Sequence, residues 1–228
     1  MIINHVCHAN DWIKAEEIKG AKTLILGSFN PYNPNNQNTE YFYGRSSNYF
    51  WKVIASLLLE HEHYFTDKLT NKLAVMQKYK FCFLDIISSI EITNPDGNDN
   101  IIRQFANDHI FTNFSDSKLF TTKHFGGNIL VTRTYNQNAV DFINSQKIKK
   151  VIHTMGNTRI SPNLITVPSE NGLEINGFQG YINTINNLES VFNPISYSPS
   201  AYAVKRGGQT HLNHLSNWIS ENLGINQN

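Results

Sequence analysis

Two asparagine side chains and an aromatic cluster follow the first apolar strand that the sequence predicts. Residues 23–27 form a short apolar run that ends in glycine, which is typical of a buried strand. Asn30 and Asn48 come after this run, and Tyr43 lies between them. In open α/β sheets, ligands bind at the carboxyl ends of the strands. A side-chain amide at that place can hold a water molecule or a polar ligand edge, since it carries both donors and an acceptor.

A second polar group lies towards the end of the sequence. Residues 198–200 read Ser-Pro-Ser, and they follow an apolar run. Tyr202, Lys205 and Arg206 come directly after them. If a helix begins nearby, its N-terminus favours phosphate, because its N–H groups and its dipole attract anions. An ordinary turn at 198–200 is the alternative interpretation.

These two groups resemble the motifs of a known enzyme superfamily. Residues 24–54 resemble motif A of the uracil-DNA glycosylase superfamily, in which a Gly-x-Asn-Pro turn is followed by Asn-x-Phe-Trp. Residues 196–202 are similar to motif B, a turn from which an apolar wedge residue projects into DNA. Residues 79–89 resemble the strand and pocket loop between the motifs. The likeness is to the mismatch-specific uracil/thymine-DNA glycosylases and the hypoxanthine-DNA glycosylases.

The resemblance implies a monofunctional DNA glycosylase, which flips out a base and hydrolyses its N-glycosidic bond to leave an abasic site. It implies two catalytic residues, Asn30 and Asn48, with Asn30 positioning the attacking water. The residues expected in the base pocket are Ser28, Phe29, Tyr43 and Asp85, with Tyr43 stacking on the base. The residues expected to bind DNA are Ser198, Pro199, Ser200, Tyr202, Lys205 and Arg206, with Tyr202 as the wedge. No metal and no organic cofactor are expected.

The sequence departs from the superfamily at several positions. The Asp that activates water in the uracil-type turn is missing at Asn30, and the His that begins motif B is replaced by Ser198. The turn at residues 27–31 is one residue longer than Gly-x-Asn-Pro, and the loop 32–39 is rich in Asn. These changes favour a substrate other than plain uracil. We expect a hypermodified cytosine of foreign (phage) DNA, and therefore a role in defence.

Three other functions stay open at this point. The first is a repair glycosylase for deaminated bases such as uracil or hypoxanthine. The second is a DNA-binding module of the same fold without hydrolysis. The third is an N-glycosidase that acts on a free nucleotide, which predicts no salt-dependent affinity for DNA.

Individual residues have structural interpretations as well. Asn30 is typical of a turn before proline, and Asn48 is typical of a helix cap. Asp85 ends an apolar strand, where it is a general base, an acceptor for a base edge, or a structural hydrogen-bonding group. Arg133 and Arg159 are further candidates for phosphate contacts.

Strands that alternate with helices predict a parallel sheet covered on both faces. With the resemblance, this gives an α/β fold over residues 1–228, a single-domain three-layer αβα sandwich with a central, mainly parallel four-stranded sheet. We expect Ser88 and Ser89 in a loop and a turn at 94–97. The predicted strands lie at 23–27, 81–87, 128–132, 149–156 and 190–196, and the predicted helices lie at 48–59 and 136–144 and begin at Thr66 and Thr210.

Composition narrows the protein class. The 228 residues carry a formal net charge of +1, which is not typical of a protein that coats nucleic acid. The two cysteines, Cys7 and Cys82, exclude a four-cysteine metal site. His5 and His8 have metal-binding side chains without a second ligand pair at a known spacing. No apolar run reaches the roughly 18 residues of a membrane span, and the start lacks a signal-peptide pattern. We expect a cytoplasmic monomer with no membrane partner.

Overall fold

The computed structural model describes residues 1–8, 12–35, 38–112, 122–124, 127–136, 141–142, 148–154, 166–168, 174–176, 193 and 195–225. The strands are β1 (Ile2–Asn4), β2 (Thr23–Gly27), β3 (Phe81–Asp85), β4 (Ile87–Thr93), β5 (Thr122–His124), β6 (Gly127–Tyr135), β7 (Lys150–His153), β8 (Thr166–Pro168) and β9 (Glu174–Asn176). The α-helices among the described residues are α1 (Phe50–Leu57), α2 (Leu69–Tyr79), α3 (Asp99–Phe105) and α4 (Ala201–Leu223). Short 3-10 helices lie at Val6–His8 and Ala15–Glu17, and a π-helical segment, Ala106–Phe111, continues α3. Arg159 lies outside the described residues, and the predicted helix at 136–144 is described only at 136 and 141–142.

The apolar runs build a parallel sheet in the order β3-β2-β7. All five residues of β2 are buried, as expected for the centre of a sheet that is covered on both faces. Gly27 pairs with Asp85, and Leu26 pairs with His153, so the three strands end at one edge. The α/β class is therefore confirmed. The expected four-stranded central sheet is not confirmed, because three strands of it are described.

The predicted strand at 190–196 has one informative contact. The backbone N–H of Asn193 donates to the carbonyl oxygen of Val151 over 2.8 Å. Val151 belongs to β7, so Asn193 lies beside the edge of β7 that faces away from β2. This is the position that a fourth strand would take, and residues 190–192 and 194 lie outside the described residues.

A second sheet, in the order β1-β4-β6-β5, is antiparallel throughout. The strand predicted at 128–132 is confirmed as a strand, but it belongs to β6 and not to the parallel sheet. The loop expected at Ser88 and Ser89 is wrong, because both residues lie within β4. Two serines in an otherwise apolar run signal a loop locally, whereas pairing with β1 and β6 extends the strand.

The chain passes from one sheet to the other directly after Asp85. The N–H groups of Ile86 and Ile87 donate to the carbonyl oxygens of Gly27 and Ser28, over 3.0 and 3.1 Å. The side-chain amide of Asn136 donates to the backbone oxygen of Asp85 over 3.1 Å. These bonds fix the position of Asp85 at the junction of the two sheets.

Helices α1 and α2 confirm two sequence predictions with shifted starts. Helix α1 buries six of its eight residues: Phe50, Trp51, Val53, Ile54, Ala55 and Leu57. Helix α2 begins at Leu69 rather than near Thr66, and Lys80, the residue after its last turn, caps it in a left-handed conformation. The turn predicted at 94–97 is confirmed by a bond from the Gly97 N–H to the Asn94 oxygen.

Helix α4 begins earlier than the sequence predicts. It starts at Ala201, with the Ser200 hydroxyl accepting from the N–H of Ala203 over 3.2 Å. The expected start near Thr210 is confirmed for the second part of α4, and the helical turns at residues 201–207 were not predicted. The sequence signal has a structural basis, since Gly208 has a φ of 58° and ψ of −150° and kinks the helix just before Thr210.

A group of rings packs the loop after β2 against the parallel sheet. Phe83 of β3 lies 5.4–6.0 Å, centroid to centroid, from Tyr41, Phe42, Tyr43, Phe50, Trp51 and Phe81. Burial of large aromatic side chains supplies much of a core's stability. Within the described part of the chain, no helix combines the length and apolar character that a membrane span requires.

Candidate active site

The ends of β2 and β3 place the Asp85 carboxylate against Gly27. A Cβ at Gly27 would collide with Asp85 Oδ1 and would lie 3.0 Å from the hydroxyl oxygen of Tyr43. Only glycine lets both oxygens lie over the backbone at this strand end. The Asp85 side chain is 3% exposed, so its carboxylate depends on donors from the protein.

Two donors share one oxygen of Asp85. His5 Nε2 lies 2.6 Å from Asp85 Oδ2, and Asn30 Nδ2 donates to the same oxygen over 2.9 Å. We name His5, Asn30 and Asp85 the strand-end cluster, since they follow or end β1, β2 and β3. A carboxylate from another strand, that of Asp85, thus lies directly beside Asn30.

The sequence placed Asn30 and Asp85 among the site residues, and the structure brings them together. It did not place His5 there. The sequence drew attention to His5 only as a side chain that can bind metal, and not as a partner of a carboxylate. No local spacing relates His5 to Asp85, because their contact depends on how the two sheets meet.

The segment after β1 also holds the backbone of the Asn30 turn. The N–H of Val6 donates to the Asn30 oxygen over 2.8 Å, and the N–H of Tyr32 donates to the Asn4 oxygen over 3.0 Å. His5 and Pro31 form an isolated antiparallel bridge. Asn30 is therefore fixed at its backbone and at its side chain.

Opposing interactions set the protonation of His5. Burial lowers the pKa of His5, and the hydrogen bonds and charges of Asp85 and Cys7 outweigh it and raise the pKa to about 9. The backbone N–H of Cys7 donates to His5 Nδ1 over 3.1 Å. This bond forms only when Nδ1 carries no proton, so it limits the rise. In the neutral ring it selects the tautomer with the proton on Nε2, which then donates to Asp85.

Tyr43 adopts a backbone conformation that is rare outside glycine, with a φ of 56°. Its hydroxyl group lies 2.7 Å from Thr154 Oγ1, at the end of β7. Phe50 stacks on one face of the Tyr43 ring, with centroids 4.9 Å apart. Strained residues of this kind collect at functional sites, where the surrounding structure holds them. The base stacking that the resemblance implies for Tyr43 would use the ring face opposite Phe50.

An ion pair anchors the loop that carries Tyr43. Glu40 forms a salt bridge with Lys72 of α2, whose side chain is 1% exposed. Burial lowers the pKa of Lys72 to about 8, and the Glu40 carboxylate favours the charged form. The indole N–H of Trp51 donates to the Phe42 oxygen over 2.8 Å and holds the same loop from α1.

Ser28 and Phe29 connect the strand end to Asn30. The backbone oxygen of Ser28 accepts from Ile87, while its side chain is half-buried. Phe29 is buried, and its ring lies 5.8 Å from the His5 ring in an edge-on arrangement. Phe29 thus packs against the strand-end cluster.

Asn48 lies at the start of α1, where its side-chain oxygen accepts from the N–H of Phe50 over 2.9 Å. The N-cap residue of α1 is Tyr49, which has no side-chain capping bond, so Asn48 lies one residue before the cap position that the sequence allowed as an alternative to catalysis. Next to it, the N–H of Tyr49 donates to the Pro199 oxygen over 2.9 Å. That bond joins the two sequence motifs, which lie far apart in the chain.

Residues 198–206, which we name the helix-start segment, carry the predicted DNA-binding side chains. Ser198 Oγ and Ser200 Oγ lie 3.1 Å apart, and Ser198 Oγ also accepts from the Ser200 N–H. Tyr202 in the first turn of α4 is 74% exposed. Lys205 and Arg206 are exposed in the second turn. The first turn of α4 contains no acidic residue, so nothing there opposes an anion.

Comparisons with protein-family models, with curated proteins and with solved structures found no match. The likeness to the uracil-DNA glycosylase superfamily therefore rests on the two motifs themselves. Among the described residues, no group of three or more His, Cys, Asp or Glu side chains is arranged to hold a metal ion.

Proposed function

We propose that this protein is a monofunctional DNA glycosylase that flips out a base and hydrolyses its N-glycosidic bond. The observation that carries the proposal is the Tyr49–Pro199 hydrogen bond, which docks the motif B turn onto the motif A helix. Phe50 of α1 also stacks on Tyr43, whose hydroxyl group approaches Gly27, so α1 has the polar strand end and the exposed helix start as neighbours. An enzyme that acts on a flipped base needs both.

Asn30 is the proposed water-binding residue. Its Nδ2 donates to Asp85 Oδ2, so its carbonyl oxygen is directed away from the carboxylate and accepts from water. In the reaction, the bond between C1′ and the base nitrogen breaks, and its electron pair goes to the base. The water oxygen bonds to C1′, and its proton is taken up by the departing base, so atoms and charges balance. Asn48 shares the catalysis in this proposal.

The helix-start segment is the proposed DNA contact. Ser198, Ser200 and the N–H groups at the start of α4 face phosphate, as helix N-termini commonly do. Tyr202 is exposed enough to enter the gap that a flipped base leaves. Lys205 and Arg206 contact the phosphate backbone, which positions the protein without reading sequence.

The proposed substrate class is a hypermodified cytosine in foreign DNA, and the proposed setting is defence by a cytoplasmic monomer. The departures from the uracil-type motifs, at Asn30 and at Ser198, support a substrate other than plain uracil. The Asn-rich loop between Asn30 and Tyr43 folds on itself through bonds between Asn33 and Asn38. The second candidate is repair of uracil or hypoxanthine, which the resemblance to the repair branches favours.

The test is a panel of DNA duplexes, each with one altered base: uracil, hypoxanthine, 5-hydroxymethylcytosine or its glucosylated form. Abasic sites are scored by alkaline cleavage for the wild type and for Asn30→Ala. The matched control is Asn100→Ala, an exposed asparagine of α3. We expect cleavage of the modified cytosine duplexes, retained in Asn100→Ala and lost in Asn30→Ala.

Other outcomes identify the alternatives. Cleavage of uracil or hypoxanthine alone indicates the repair enzyme. Salt-dependent binding to every duplex without cleavage indicates a DNA-binding module. Base release from a free nucleotide, with no affinity for DNA, indicates a nucleotide N-glycosidase.

A further inference from the structure

The side-chain amide of Asn30 is held in one of its two orientations. A carboxylate oxygen accepts hydrogen bonds and cannot donate them, so Asp85 Oδ2 can face only the Nδ2 end of Asn30. Turning the amide over would place two oxygens against each other in a buried site, without a proton between them. Asp85 therefore imposes the orientation in which the side-chain carbonyl oxygen of Asn30 points away from the carboxylate.

His5 holds the carboxylate that imposes this orientation. Its Nε2 contacts the same oxygen that Asn30 uses, and its other nitrogen is fixed by the Cys7 N–H. The backbone of His5 is fixed as well, since its N–H donates to the Ser88 oxygen over 2.9 Å. The ring also packs against Trp12, Phe29 and Phe42. The imidazole is thus a rigid donor for a carboxylate that is nearly closed to solvent.

We propose that His5 and Asp85 are the positioning residues of this site, which orient the Asn30 amide so that its carbonyl oxygen receives the attacking water. This inference rests on the proposed glycosylase function. It assigns a functional role to the segment after β1, which neither sequence motif includes. His5 acts through Asp85 and does not touch the reacting atoms.

The test compares His5→Phe with His5→Gln. Phenylalanine keeps a ring of similar size and removes the donor, whereas glutamine restores an N–H donor without a ring. The measured quantities are the single-turnover rate of base release and the Kd for the duplex that the wild type cleaves best. We expect His5→Phe to lower the rate by about 100-fold with an unchanged Kd, since a small misplacement of a reacting group has an effect of that size. We expect His5→Gln to recover at least half of that loss on a logarithmic scale, so its rate should be no more than about 10-fold below that of the wild type.

A second readout does not depend on activity. The side-chain amide signals of Asn30, assigned in a ¹H–¹⁵N spectrum by their loss in Asn30→Ala, report its bond to Asp85. We expect these signals to shift in His5→Phe and to return towards the wild-type position in His5→Gln. If His5→Phe does not fold, the variant Asp85→Asn replaces it, because asparagine is nearly isosteric with aspartate and removes the charge. We expect the rate of base release to fall and the Kd for DNA to stay unchanged.

The outcomes separate the two proposals. A wild type that releases no base from any substrate refutes the glycosylase, and the positioning role falls with it. An active wild type whose His5→Phe variant keeps its rate, or keeps the Asn30 signals in place, refutes the positioning role alone. A rate and a melting temperature that fall together in both variants, without recovery by glutamine, show a purely structural His5 and also refute it.

Discussion

The strand-end cluster and the helix-start segment differ in almost every physical property. His5 and Asp85 are closed to solvent, and three hydrogen bonds fix the side chains around the Asp85 carboxylate and the His5 ring. Tyr202, Lys205 and Arg206 project into solvent from the first two turns of a helix. A hydrogen-bonded cluster around a buried carboxylate suits chemistry, whereas an exposed cationic helix start suits contact with a charged surface. Mutations in the two regions should therefore have separable effects.

The largest effect is expected at Asn30. Asn30→Asp removes the Nδ2 donor and places a second carboxyl group against Asp85, where two like charges repel. We expect base release to fall by about 10³-fold, within the range for loss of a positioned catalytic group, and DNA affinity to stay within about twofold. Single-turnover rates and a binding titration measure both quantities. An activity that equals or exceeds that of the wild type would mean that the introduced carboxylate serves as the uracil-type water activator and that Asp85 has another role.

Substitution of Gly27 tests the close approach at the strand end. In Gly27→Ala the new methyl group collides with Asp85 Oδ1 and crowds the Tyr43 hydroxyl group. We expect the free energy of unfolding to fall by about 1–3 kcal/mol, and the rate of base release to fall as well. The matched control is Gly97→Ala, which has a φ of 70° and open space around it. It should lose about 1 kcal/mol through backbone strain alone and keep its activity. Equal activity losses in both variants would show that the contact at Gly27 has no special role.

The pH dependence of stability tests the protonation of His5. Its folded pKa of about 9 exceeds the ordinary value of 6.5, so between these values the folded protein holds a proton that the unfolded chain lacks. This second ring proton lies on Nδ1 and displaces the Cys7 N–H bond, which reduces the gain in stability. The resulting stabilisation is complete below pH 6.5 and is lost as the pH rises through 9. The measured quantity is the free energy of unfolding of the wild type minus that of His5→Gln, obtained by urea unfolding. We expect this difference to be about 1–3 kcal/mol larger at pH 6 than at pH 9.5. A difference that does not change with pH would mean that His5 stays neutral, with the Cys7 N–H on Nδ1 and the proton on Nε2.

The smallest effect is expected in the helix-start segment. Lys205→Ala and Arg206→Ala should each reduce the slope of log affinity against log salt by about one unit, because each removes one phosphate contact. The rate from the saturated complex should not change. Lys78→Ala, an exposed lysine of α2, is the control. A salt slope in both variants equal to that of the wild type, or slower base release at saturating protein, would contradict the division between the two regions.

The sequence predicted the elements whose signals are local. Apolar runs located β2, β3 and β7, helical spacing located α1, and the predicted helix start at Thr210 lies two residues after the break in α4 at Gly208. Three features were missed because they depend on distant partners. Residues 128–132 belong to an antiparallel sheet because they pair with β4. The two serines of β4 are held in the strand by β1 and β6. The start of α4 depends on the Ser200 cap and on the bond between Pro199 and Tyr49.

The candidate site was predictable in part, and the same division between local signals and distant contacts applies to it. Asn30 and Asp85 each follow an apolar run that ends at a sheet edge, so sequence alone placed them at strand ends. Their hydrogen bond follows from the register that pairs Gly27 with Asp85, and that register is visible only in the folded sheet. His5 escaped prediction because its partner lies in another strand and no motif includes it. The burial of its ring and its contact with Asp85 both depend on the tertiary structure.

The most direct test of the proposed reaction is mass-spectrometric detection of free base. Duplex DNA that contains 5-hydroxymethylcytosine or its glucosylated form is incubated with the wild type, Asn30→Ala or the Lys205→Ala/Arg206→Ala double variant, at low salt and saturating protein. We expect released modified cytosine from the wild type and from the double variant, and none from Asn30→Ala. Release by Asn30→Ala at the wild-type rate, or no free base from any altered duplex with the wild type, would contradict the proposed function.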